Sequence, residues 1–317
     1  MKKVLAILFV FVLLSSCAPP VTPNNNAASE GQPTENPTTQ PSQSPVTQDP
    51  RDAYEKWDPN SSGNSALCFD ESKRESKKIL TSKDLGGTFL AGADSVSLTY
   101  LRTANNKDLP VNKRADSYGT VDVYVDDVGV EYSFLYNTDV LCGVIWYDAP
   151  YTYLPQEEAI PEKTAVEAAN KFISAIRDDS NEYKLIYCTY TQNGEYSLSY
   201  YKPVDGHKSD DEIWIWMQPD GEITYFSEHN YKRYDNVSVT DDEMKLAKED
   251  GEKAIKEHIE KLESGTEYEI EDSYISKNDE GEIVLAQKVI ISILVPGLDD
   301  DGMAVHGEIF YQPIKKV

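Results

Sequence analysis

The chain has 317 residues, enough for about two domains at roughly 150 residues each. Its 30 Lys and Arg stand against 55 Asp and Glu, and the resulting formal charge of −25 excludes the electrostatic footprint of a nucleic-acid or anionic-lipid binder. Ten percent aromatic content, with 21 Tyr and 8 Phe, excludes a disordered acidic chain and points to strands with one wet face.

Lys2 and Lys3 precede an unbroken apolar run over 4–14, eleven residues, too short to cross a hydrocarbon core of about 30 Å as a helix. Such a run behind two lysines reads as a secretory signal. It ends in Leu14-Ser15-Ser16-Cys17, which resembles the lipobox of bacterial lipoproteins. The resemblance covers residues 1–17 and implies that the small residues fit the signal peptidase and that the Cys17 thiol carries diacylglycerol. The implied location is the extracytoplasmic face of the cell membrane, where each buried CH₂ of an acyl chain contributes about 0.8 kcal/mol to anchoring.

Residues 18–50 contain no aromatic side chain and eight of the chain's 17 prolines. They cannot bury enough surface to offset the entropy of ordering, so the segment reads as a disordered, semi-extended tether. Beyond Cys17 the cysteines are Cys68, Cys142 and Cys188. An odd number allows one bridge at most and leaves open whether Cys142 and Cys188 pair.

In the part beyond the tether, 51–155 is strand-rich, with alternating segments over 120–125 and 130–136 around Asp126-Asp127-Val128-Gly129. The spacing of Val166, Ala169, Phe172, Ile173 and Ile176 predicts a helix over 164–177, opened by a Thr164/Glu167 capping box. Strands over 183–191 and 195–202 follow around Gln192-Asn193-Gly194, then strands over 213–218 and 222–226 around Pro219-Asp220-Gly221. A second helix is predicted over 241–263, with Thr240 and Glu243 as its box and Val239 facing Met244 as a staple. Ala247, Gly251, Ala254, Ile255, His258, Ile259 and Leu262 form its buried side, and Gly265 takes the left-handed cap position. Strands over 268–275, 283–295 and 304–312 complete the chain.

The hairpins turning at Gly129 and Gly221 resemble one another across an interval of 92 residues. A third unit opens at Thr240, which suggests repetition of a helix laid on an antiparallel meander. Thr164-Ala165-Val166-Glu167-Ala168-Ala169, followed by strands and a hairpin ending Gln218-Pro219-Asp220-Gly221-Glu222-Ile223, resembles the PepSY-like domains of secreted and membrane-anchored bacterial proteins. The resemblance covers 156–230 and, more loosely, 239–317. It implies a helix packed on an antiparallel sheet and a role in restraining peptidases or binding partners outside the membrane. The chain departs from the pattern in its longer strands and the loop over 203–211. The expected fold is therefore α+β, in tandem units of a helix packed on an antiparallel β-sheet: a β-rich unit over 51–155, then helix-containing units over 156–236 and 237–317.

The residues offer little catalytic chemistry. No pair among His207, His229, His258 and His306 has the i, i+4 spacing of a zinc-protease helix. A Gly-x-Ser-x-Gly elbow and a phosphate-cradling glycine loop are both missing, and the cysteines lack paired zinc spacing. No catalytic residue and no cofactor is assigned, although carboxylate separation, on which glycosidase chemistry depends, is not visible in a sequence. Asp299, Asp301, Gly302 and Glu308 take positions 3, 5, 6 and 12 of an EF-hand-type loop, supplying hard oxygen ligands and a tight turn suited to Ca²⁺. Position 1 is Gly297 and the flanks read as strands, so a solvated acidic loop competes with this metal site.

Trp214 and Trp216 project from one side of a strand, and Ile213, Ile215 and Met217 from the other. If the aliphatic side meets a helix, the indoles face outward, and Tyr196 and Tyr200 are expected to join them in a partner-binding surface. The expected function is that of a non-enzymatic, lipid-anchored protein that binds an extracytoplasmic protein or peptide. The alternative is a solute- or glycan-binding lipoprotein serving a transporter or the cell wall, against which stands the missing alternation of strands and helices.

Overall fold

The computed structural model describes residues 49–58, 67–87, 94–105, 120–147, 149, 153–262, 266–278, 280–294 and 303–316, all within the unit Gln48–Val317. The signal, Cys17, nearly all of the tether, Gly265, Asp299, Asp301 and Gly302 lie outside the described residues. No helix among the described residues is long and apolar enough to cross a membrane.

Seven strands come first: β1 (Glu55–Lys56), β2 (Leu67–Phe69), β3 (Lys77–Thr81), β4 (Ser95–Asn105), β5 (Thr120–Val125), β6 (Glu131–Leu135) and β7 (Leu141–Ile145). Helix α1 (Glu162–Ile176) leads to β8 (Lys184–Tyr190), β9 (Tyr196–Tyr201), β10 (Glu212–Met217) and β11 (Ile223–His229). Helix α2 (Asp241–Ile259) precedes β12 (Glu267–Lys277), β13 (Ile283–Leu294) and β14 (Met303–Pro313). The first eleven strands form one sheet in the order β1-β2-β4-β5-β6-β7-β11-β10-β9-β8, with β3 also paired to β4. Strands β12, β13 and β14 form a second, antiparallel sheet.

The expectation of tandem helix-on-sheet units is thereby corrected. The described residues are mostly β-structure, with fourteen strands and two α-helices. The cause is a single pairing: β7 meets β11 through Gly143 opposite Ser227, Val144 opposite Phe226 and Ile145 opposite Tyr225. Strands from before α1 and strands from after it therefore share a ladder instead of each forming a sheet of its own. Hairpins β5–β6 and β10–β11, whose likeness suggested a repeat, both belong to this one sheet.

Local signals account for the elements. Alternation along β10 buries Ile213, Ile215 and Met217 on the side that faces α1. Hairpin β10–β11 closes through Gln218 N–H donating to the Glu222 carbonyl (2.7 Å), with Gly221 at φ +98°, a conformation that only glycine adopts freely. Helix α1 buries Ala165, Ala169, Phe172 and Ile173, and Phe172 meets Phe226 edge to face at 5.1 Å. It starts at Glu162 behind Pro161, without a side-chain cap. Thr164 therefore falls inside the first turn, and the predicted Thr164/Glu167 box does not form. Helix α2 does open on its predicted box: Glu243 N–H donates to Thr240 Oγ1 (3.3 Å) and Thr240 N–H donates to Glu243 Oε2 (2.9 Å). Val239 and Met244 share a small core with Ala247, Ile275 and Leu285, while Ala254, predicted to be buried, is exposed.

Cys68, Cys142 and Cys188 are free thiols. Cys142 on β7 and Cys188 on β8 are separated by three intervening strands. At about 4.8 Å per strand that puts them far beyond the roughly 7 Å Cα limit for a bridge.

The segment ahead of α1 is locked to it by one close approach. Thr81 and Asp84 cap a short 3₁₀ turn over Ser82–Leu85, Leu85 enters the main core, and Gly86 follows at φ +68°. A methyl group on Gly86 would lie 2.5 Å from the Lys171 carbonyl oxygen on α1. Gly86→Ala combines an unfavourable φ with a collision against helix backbone and is expected to cost about 2–4 kcal/mol. Urea unfolding should show the loss, and an unchanged midpoint would contradict this packing.

Candidate binding face and polar cleft

Across β10 the register assigns each residue to a face. Trp214 lies opposite Ser199 on β9 and Ser227 on β11, and Trp216 lies opposite Ser197 and Tyr225. Both indoles point away from α1 and are 40% and 42% exposed. Trp216 stacks on Tyr225 at 4.5 Å between centroids, and Trp214 tilts against His229 at 4.9 Å. Trp214 Nε1 donates to Glu212 Oε2 (2.9 Å). Burial raises the Glu212 carboxyl above its usual range, opposed by that hydrogen bond and by the Lys208 ammonium. Tyr187 on β8, opposite Ser199, continues the face and is also exposed. The result is a shelf of aromatic rings with serines between them.

Tyr196 and Tyr200 do not join this shelf. They lie opposite Met217 and Ile213, so the pleat turns them toward α1, where both are buried. Tyr196 donates its hydroxyl proton to the Ile160 carbonyl oxygen, and burial raises its pKa. The Tyr200 hydroxyl lacks a partner among the described residues. That the two tyrosines share a face is legible in their spacing. Which face it is depends on the β9–β10 register.

Glu308 lies within β14, not at the end of a loop. The Nε2 atoms of His306 and His258 stand 3.0 and 3.4 Å from its carboxylate oxygens. Among the described residues no group of three or more His, Cys, Asp or Glu side chains is placed to hold a metal ion.

A polar cleft of about 770 Å³ opens between the segment after α1, the loop that follows β9 and the 231–237 turn, lined by Asp179, Lys202, Asp211, Tyr231, Tyr234 and Asp235 among others. Sequence reasoning passed over it, since its residues are far apart in the chain. The one available signal was the Asp210-Asp211-Glu212 run. Beneath the cleft the buried guanidinium of Arg177 pairs with Glu228, donating from Nε at 2.8 Å. It also donates to the carbonyl oxygens of Ile176 and Leu141, each at 2.6 Å. The Tyr183 hydroxyl stands 2.9 Å from Glu228 Oε1 and 3.0 Å from Asp211 Oδ1. A phenol donates only one proton. Burial raises the Asp211 carboxyl to about 7, against the Tyr183 hydrogen bond and the Lys202 charge. Below about pH 7 the protonated Asp211 carboxyl is able to supply the second hydrogen bond of this trio.

No protein-family model matches the chain, and no curated protein matches it. Among solved structures it is similar to the Bacillus megaterium YpeB C-terminal domain, at 12% identity and a TM-score of 0.32, over 75% of this chain and 90% of that one. Likeness of that degree assigns neither family nor activity.

Asp211 generates a pH dependence. An unfolded Asp titrates near 3.9, and the folded one near 7, so the folded chain binds the extra proton between those values. Stability is therefore lost as pH rises from about 4 to about 7 and is flat above, as far as this group contributes. Asp211→Asn is expected to remove that loss, its stability relative to the parent growing by about 2–4 kcal/mol across the window. Parallel curves of unfolding free energy against pH would refute the assignment.

Proposed function

We propose that the chain is a non-enzymatic lipoprotein, fastened through Cys17 to the extracytoplasmic face of the cell membrane, that binds a protein or peptide partner. The partner class implied by the PepSY-like resemblance is a peptidase. The observation that carries the proposal is the exposure of Trp214 and Trp216, two large rings that a β-strand presents to solvent instead of to a core. Indoles held on a rigid strand lose little entropy on binding, which is why such residues anchor interfaces. A second binding class, a glycan, is favoured by the stacking of Trp216 on Tyr225, which leaves a flat aromatic shelf with serine hydroxyls beside it.

Two experiments test the proposal. Screening the chain against peptide and oligosaccharide panels by thermal shift should yield stabilising peptides. Trp214→Ala together with Trp216→Ala should then weaken the best peptide by about 30-fold or more. Equal affinity in parent and variant, stabilisation by sugars alone, or turnover of a peptide or cell-wall substrate would each overturn it. For the anchor, Cys17→Ser should move the chain out of the membrane fraction and abolish labelling with a fatty-acid analogue. Membrane retention without label in the parent would contradict lipidation.

A further inference from the structure

The second sheet ends in an open edge. Strand β14 pairs with β13 over eleven residue pairs, from Met303 opposite Leu294 to Pro313 opposite Val284, with no register shift. Its outer side carries no backbone hydrogen bond to any described residue. The other long edge, β12, is bulged between Ile270 and Asp272 and is bridged near its end by Ser209 against Ile275. Edge strand β8 is bulged between Leu185 and Tyr187. Such bulges are how proteins protect an edge from a second strand, and β14 has none. It is also apolar where it is open: Val305, Ile309 and Tyr311 are exposed on the face away from α2, and no Lys or Arg lies between Met303 and Pro313.

The pattern along β14 is complementary to itself. Around Gly307 the order is Val305-His306-Gly307-Glu308-Ile309. In an antiparallel pair of two copies centred on Gly307, each Val305 faces Ile309 of the second copy, and each His306 faces its Glu308, so the carboxylate that His306 and His258 approach within one chain gains a further imidazole across the axis. An imidazole opposite a carboxylate and a β-branched residue opposite another are both favourable cross-strand pairs. Every other centring from His306 to Ile309 loses the His–Glu match, and one on Glu308 sets the two carboxylates against each other. The two glycines meet at the axis, where neither brings a side chain. We propose that two copies of this chain associate through β14, edge to edge and antiparallel about Gly307, joining the two three-stranded sheets into one of six strands. Self-repulsion between strongly acidic chains opposes association, but β14 itself carries only His306 and Glu308. The inference is independent of the partner-binding proposal, since it uses neither the tryptophan shelf nor the cleft.

The test uses the full chain. Residues facing each other at the axis have Cα atoms about 4.5–5.5 Å apart, within disulfide range. Gly307 has room for a side chain: a methyl group there would have only Ile290 Cδ1 and the Val289 carbonyl oxygen nearby, at 3.8 and 4.0 Å. Gly307→Cys under mild oxidation should give a disulfide dimer on a non-reducing gel. Val305→Cys alone should not, because its two copies are displaced from each other along the strands. A mixture of Val305→Cys and Ile309→Cys chains should cross-link. Adding Glu308→Lys to Gly307→Cys should cut the dimer by roughly threefold or more, since an ammonium then faces each His306 across the axis. Absence of the Gly307→Cys dimer, or equal cross-linking at Val305→Cys, would overturn the register and with it the proposal. Cross-linking at Gly307→Cys and in the mixed pair supports it whether or not any partner binds Trp214.

Discussion

Arg177 is the point at which helix and sheet are tied. Its guanidinium leaves the C-terminal end of α1, pairs with Glu228 on β11 and reaches the Leu141 carbonyl oxygen on β7, so one side chain bonds the helix to both strands of the central seam. Charges this deeply buried carry a desolvation penalty of several kcal/mol each, and the pair is tolerable only because its geometry satisfies both partners. The Ile176 and Leu141 carbonyls and the Tyr183 hydroxyl complete that satisfaction, and the Tyr231 ring lies 4.6 Å from the guanidinium carbon. Removing one partner of such a pair costs about 3–5 kcal/mol, because it leaves an uncompensated buried charge. A β7–β11 register shifted by one residue would break the alignment of Leu141 with Glu228 and strand a buried charge.

The seam explains the division of faces. Once β7 and β11 join, the ladder from β4 to β8 is continuous, and α1 covers its core of Tyr132, Phe134, Leu198, Ile215 and Phe226. On the opposite face no described helix covers β10, and Trp214 and Trp216 are exposed there. Polar groups divide by the same geometry. Tyr183 and Asp211 are drawn inward to complete the Arg177–Glu228 network, whereas Glu212, the next residue, turns outward and meets Trp214.

The second sheet solves its packing differently. Helix α2 covers one face with Met244, Ala247, Gly251 and Ile255, and Gly251 permits a close approach to Gln287 on β13. On the opposite face Ala286 is buried while Val305, Ile309 and Tyr311 are exposed. A sheet of three strands has two edges for one central strand, so most of its backbone pairing capacity is at the margin. The segment between β9 and β10 supplies a contact to β12 through Ser209, and among the described residues no strand pairs with the outer side of β14.

Within a few residues of chain, sequence logic was sufficient. The Thr240/Glu243 box, the turns at Gly194 and Gly221, and the opposed faces of Ile215 and Trp216 are set by backbone conformation and by the two-residue period of a strand. Even locally a competing signal can win, as Pro161 did over Thr164. The sequence by itself determined which side chains of β10 are apolar on one side and aromatic on the other. Only the tertiary structure decided that Tyr196 and Tyr200 share the aliphatic side, that Asp211 is buried beside Tyr183, and that β7 meets β11. These outcomes rest on register and on contacts between residues far apart in the chain, where the free energy belongs to a pair and no single residue carries the signal.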